Sequence, residues 1–216
     1  MLKKSELIQV IISILLFEFI IFFPNNIDIR NILLILIPPI IILTNVITKR
    51  IAAPYYSIKI RHKIWEFQRF GFIEKSKLKK PFPIGLLFPI IISILTLGLI
   101  KMMVFLQFNY KNVPKTRILK KRGFHRFKEI NESDLAFTAA WGFYSLLFIA
   151  IIGILIRAIF NLNFGTSLAL YSIAYGLWNI FPISNLDGTK LFFGSPLTWI
   201  ILIILYVLFL GLVIII

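Results

Sequence analysis

The chain has no cysteine. Disulfides, thiol nucleophiles and thiolate metal sites are therefore excluded, and the redox compartment stays open. Histidine is almost as scarce: only His62 and His125 occur, each in a basic polar stretch where a solvated or interfacial imidazole is the expected state. A three-ligand zinc site has no obvious donors, and no metal or other cofactor is expected. Acids are few as well, nine against twenty-four lysines and arginines, for a net charge of +15. In a soluble protein such an excess would point to nucleic acid. Here the cations are concentrated between apolar runs, and no nucleic-acid-binding module is recognisable, so the expected partner is the anionic cytoplasmic leaflet of a bilayer.

What the chain has in quantity is apolar sequence, 59% of all residues. Several runs reach the length that the hydrocarbon core of a bilayer requires. The expectation is an all-α polytopic membrane protein, multi-pass in the cell membrane. It has about five transmembrane helices, a re-entrant or sixth hydrophobic segment and a short interfacial β element. Three parts are expected: residues 1–31, a first helix and outer turn; residues 32–190, a membrane core; and residues 191–216, a last transmembrane helix.

Lys3 and Lys4 lead into Leu7 to Phe23, read as an uncleaved helix because no small-residue cleavage site precedes Pro24 and Asn25. Glu18 inside it is either a relay group or a paired, packed acid. Asn25 to Asn31 is a polar turn. Ile32 to Ile47 forms the second span, with a kink at Pro38 and Pro39 in its middle. Ser57 to Gln68 partly alternates polar and apolar residues, as an interfacial strand or hairpin does, with Trp65 at headgroup level.

The segment 82–108 is apolar but carries Gly85, Pro89, Gly98 and Lys101. Ten Lys and Arg lie between Thr48 and Pro81 and eight between Asn109 and Asp134. A full crossing by 82–108 would put these loops on opposite sides, against the positive-inside rule. A hairpin turning near Thr96 to Gly98 keeps both cytoplasmic. Lys101 then either snorkels or partners Asp187 or Glu18. Leu135 to Ile159 and Thr166 to Phe181 read as further spans joined by the turn Asn161 to Gly165, and Leu197 to Ile216 as a lipid-facing last span.

The second of these spans ends in Asn179, Pro182, Leu186, Asp187 and Gly188, the pattern N-x-x-P-x-x-x-L-D-G. A carboxylate at membrane depth is by default a functional hypothesis. The pattern resembles the third motif of the site-2 protease family of intramembrane zinc metalloproteases. Thr44, Asn45 and Thr48 stand where that family has H-E-x-x-H. They match it in spacing and not in chemistry, since hydroxyls bind zinc poorly and an amide cannot take a proton from water. The resemblance implies a site-2 protease-like core from Thr44 to Lys190 that lacks zinc and the catalytic glutamate. In it Asp187 is a remnant hydrogen-bonded to Asn45, Thr44 or Thr48, and the fold is left to bind or sequester membrane-protein segments, for example on an exposed strand edge in 57–68. Without the resemblance, Asp187 and Asn185 form a helix cap and an Asx-turn, and Gly188 supplies a backbone turn. Two other classes stay open: a small ion-coupled carrier using Glu18, Lys101 and Asp187, and a structural subunit of a membrane complex.

Overall fold

A computed structural model describes residues 4–24, 29–69, 77–112 and 131–215. Parts of the turn 25–31, Phe70 to Ser76 and most of the basic loop, His125 included, lie outside the described residues. The described chain is mostly helical. Its elements are α1 (Lys4–Phe22), a 3-10 helix (Ile29–Leu36), α2 (Ile37–Ala52), a short 3-10 turn (Ala53–Tyr56), β1 (Ile58–Ile64), β2 (Phe67–Arg69), β3 (Lys77–Phe82), α3 (Ile84–Leu95), β4 (Leu106–Asn112), α4 (Glu132–Phe160), α5 (Asn163–Ile180), α6 (Asp187–Gly194) and α7 (Pro196–Ile215).

Among the described residues, four stretches are helical, long and apolar enough to cross a membrane: Lys4–Phe22, Leu33–Tyr56, Glu132–Phe160 and Pro196–Ile215. The helix α5 is not among them, although it packs against α4 through Gly153 and Gly165, where a side chain on either glycine would meet the other's carbonyl oxygen. The prolines of the second span do not kink its middle. Pro38 and Pro39 stand in the first turn of α2, directly after a 3-10 lead-in, where proline's fixed φ is tolerated.

The helix α4 is the central post. Gly142, Phe143 and Leu146 each present a carbonyl that accepts from a different neighbour: Asn45 Nδ2 of α2 at 3.2 Å, Tyr206 Oη of α7 at 2.9 Å and Ser172 Oγ of α5 at 2.7 Å. Such bonds tie these apolar helices to one another. Tyr206 enters because Gly176 has no side chain to meet it. One face of α7 is therefore core and only the remainder is exposed.

The segment 82–108 turns back on itself. It enters as α3 and reverses through Thr96 to Gly98, where Leu97 and Gly98 take positive φ. It returns extended, and Met102 to Phe108 are buried. Both ends of the hairpin meet Trp65, whose amide donates to Phe105 O at 2.8 Å and whose carbonyl accepts from Gly85 N at 2.9 Å. Trp65 is thus packed against Met102, Val104 and Leu186, buried among protein side chains. The returning strand β4 pairs antiparallel with β1, from Ile58 opposite Asn112 to Ile64 opposite Leu106. The other edge of β1 is covered too: the amides of His62 and Ile64 donate to Glu6 Oε1 and Gln9 Oε1 of α1 at 3.0 and 3.2 Å. Of the strand edge expected to be open in 57–68, the positions His62 and Ile64 are covered on both sides. A second small ladder joins β2 to β3.

Candidate functional site

The site lies where α2, α4, α6 and the β1–β4 ladder converge. Along α2 the residues Ile41, Ile42, Asn45, Val46, Lys49 and Ala52 form the buried stripe, at the spacing by which successive helical turns stack on one face. Lys49 extends this stripe one turn beyond Asn45. Gly142 of α4 faces it, and a side chain there would meet the aliphatic stem of Lys49.

Asp187 is the first residue of α6 and is buried. The preceding turn takes the chain from Phe181 through Pro182 to Ser184, which adopts positive φ. Leu186 anchors the turn in the cluster around Trp65. Gly188 is helical, and what it supplies is space: a Cβ there would run into the carbonyl of Ile180. Asp187 makes no side-chain cap for α6, although an acid in a first helical turn is favoured by the helix dipole.

Lys49 Nζ donates to Asp187 Oδ2 and to Asn45 Oδ1, and Lys190 Nζ lies 3.5 Å from Asp187 Oδ1. Burial pushes the Asp187 pKa up, but Lys49 and then Lys190 outweigh it and hold the carboxyl below its ordinary range. Burial takes Lys190 down to about 8, against the pull of Asp187. Lys190 also donates to Phe108 O at 2.7 Å and stands 3.5 Å from the Phe108 ring centroid, which ties α6 to β4.

Opposite Phe108 on the ladder is His62. It is buried, not solvated as its basic neighbours suggest, and its Nδ1 lies 3.2 Å from Glu6 Oε1. Burial lowers its pKa, opposed by the hydrogen bond to Glu6. Its Nε2 is buried without a hydrogen-bond partner among the described residues. Glu6 also faces Arg50 at 3.5 Å.

Of the residues picked out from the sequence, Asn45 and Asp187 are brought together, with the Lys49 ammonium between them. Thr44 and Thr48 are not: both are half-buried, and Thr48 Oγ1 donates to Thr44 O at 2.7 Å within the helix. The hydrogen-bond partners of Asp187 are the two lysines, not Thr44, Asn45 or Thr48. Asn179 serves the hairpin, its Nδ2 donating to Met103 O at 3.1 Å and to Tyr175 O at 2.7 Å. Lys101 donates to Ile21 O at 2.8 Å, about 22 Å along α1 from Glu6 by the helical rise. Neither Lys101 nor Glu18 is among the partners of Asp187. The sequence reading missed Lys49, Lys190, Glu6 and the buried state of His62. The available signal was the i, i+4 step from Asn45 to Lys49 on the apolar stripe.

Zinc, which the resembled family holds at the corresponding positions, does not suit these donors. The one carboxylate is flanked by two ammonium groups, and the neighbouring Asn45 oxygen already accepts from Lys49. Among the described residues no three His, Cys, Asp or Glu side chains gather as a ligand set. Comparisons with family models, with curated proteins and with solved structures find no match for this chain.

Proposed function

We propose that this is a site-2 protease-like, multi-pass protein of the cell membrane that has no proteolytic activity and binds segments of other membrane proteins. The observation that carries the reading is the Lys49 ammonium between Asn45 and Asp187. These are the positions of the family's catalytic glutamate and third metal ligand, and a covalently tethered cation stands between them. Supporting it further, Asp187 opens α6 beside the Asn45–Lys49 turn of α2, close to where a degenerate core of that family would have it.

In this reading α5 is a fifth crossing, about 27 Å long by its eighteen residues and the helical rise, and residues 84–105 re-enter the bilayer. Extended backbone at that depth is tolerated where protein buries it, and here Asn179 and Trp65 donate to its carbonyls. Edge pairing with a partner is left to the exposed end of β4, at Asn109 to Lys111.

The test is metal content and cleavage of a membrane substrate by detergent-purified full chain. The expected result is neither stoichiometric zinc nor cleavage, in wild type and in Asp187→Ala alike. Stoichiometric zinc that disappears in Asp187→Ala, together with proteolysis, would overturn it. Co-isolation of a membrane protein, weakened when Tyr110 at the open edge is replaced by proline, would support the binding role.

A further inference from the structure

Eighteen of the twenty-four lysines and arginines fall in the two basic segments, Thr48 to Pro81 and Asn109 to Asp134. The β1–β4 ladder joins these segments in space. Its register sets Lys59 directly opposite Lys111 and Arg61 opposite Asn109. These residues lie on the face away from Ile58, Ile60 and His62, with Lys59 and Lys111 exposed and Arg61 half-buried.

Like charges directly opposite on a ladder repel, and no acid among the described residues is paired with them. Glu6 is engaged by His62 and Arg50, Glu66 by Lys63, and Asp187 by Lys49 and Lys190. Lys59, Arg61 and Lys111 have no ion-pair partner among the described residues. The ribbon also has a fixed place. Its amides at His62 and Ile64 are held by the first turns of α1, a helix long enough to cross a membrane, so the cationic face stands at the headgroup level of that helix.

We propose that this face, formed by Lys59, Arg61 and Lys111, is a binding surface for the phosphate headgroups of anionic phospholipid. Two ammonium groups and a guanidinium converge on one side of a short ribbon. An anionic phosphate there removes the Lys59–Lys111 repulsion, and the Arg61 fork suits its oxygens. The inference rests on the membrane-spanning reading of α1 and not on any likeness to a protease.

The experiment compares the full chain in nanodiscs of phosphatidylcholine alone with nanodiscs that also contain phosphatidylglycerol, by thermal unfolding and by counting co-isolated phosphatidylglycerol. Wild type is expected to gain stability from phosphatidylglycerol. Lys111→Gln should be the more stable protein in phosphatidylcholine, because the repulsion is gone, yet show about a fivefold weaker response to phosphatidylglycerol. The triple variant Lys59→Gln, Arg61→Gln, Lys111→Gln should lose the response.

Equal responses of wild type and triple variant would overturn the proposal. So would inorganic phosphate, or an RNA oligonucleotide, stabilising the wild type in phosphatidylcholine as strongly as the lipid does. Release of the chain from membranes by alkaline carbonate would instead overturn the membrane reading beneath it.

Discussion

The weight carried by Lys49 shows in what its removal leaves behind: a buried carboxylate with Lys190 alone beside it. Breaking a buried pair from one side typically costs about 3–5 kcal/mol. Lys49→Met is expected to fall in that range in denaturant titrations of the detergent-solubilised protein, and Asp187→Asn in the same background to recover much of the loss. Additive losses in the double variant would show that the two side chains are not coupled. His62 gives a pH signature. Its folded pKa is depressed, so the unfolded chain binds the extra proton. Its contribution is complete above the ordinary value of 6.5 and is lost as the pH falls below it. The stability of the wild type should decline on acidification through that window, and His62→Gln should remove the part of the slope that begins there. These residues were hard to read in sequence for one reason. A lysine just after an apolar run looks like a topology signal, and a histidine among lysines looks solvated. Only the i, i+4 step from Asn45 for Lys49, and the alternation with Ile58 and Ile60 for His62, point inward.

At the level of elements, the helices were legible because long apolar runs admit few alternatives, and the bounds of α4 and α7 lie close to those expected. The hairpin 84–105 was legible only through the charge balance of its flanking loops, and the ladder that makes it turn back pairs residues too far apart in sequence for any local pattern to show. Pro38 and Pro39 misled because a run of hydropathy does not mark where a 3-10 helix gives way to an α-helix. Two side-chain donors now carry testable loads. Asn179→Leu strips the donor from Met103 O in the returning strand, a loss of about 1–3 kcal/mol for an unsatisfied buried group, and should appear as faster amide exchange through residues 102–108. Tyr206→Phe removes the α7 bond to α4 at about 1 kcal/mol or less. Its thermal midpoint should drop slightly, with helix content unchanged.

For the whole molecule, the proposed membrane reading gives a sidedness that follows from pairing. Strands β1 and β4 share a ladder, so the two basic segments flank one face, while Leu162 closes the far end of α4. The absence of native cysteine makes this easy to check. In sealed vesicles, Lys59→Cys and Lys111→Cys should react with an impermeant maleimide from the same side and Leu162→Cys from the other. Reaction of Lys59→Cys and Lys111→Cys from opposite sides would contradict the ladder. The same ladder also sets an order of events during synthesis. It joins residues more than forty positions apart, so α1, α2 and β1 leave the ribosome well before β4 exists. Glu6 and Gln9 can guard one edge of β1 from the start, but the other stays bare until residues 106–112 arrive, and an unguarded edge is a template for association. A chain halted before Leu106 should therefore aggregate where the finished chain does not, which makes the last strand of the ladder the step at which this protein is secured against association.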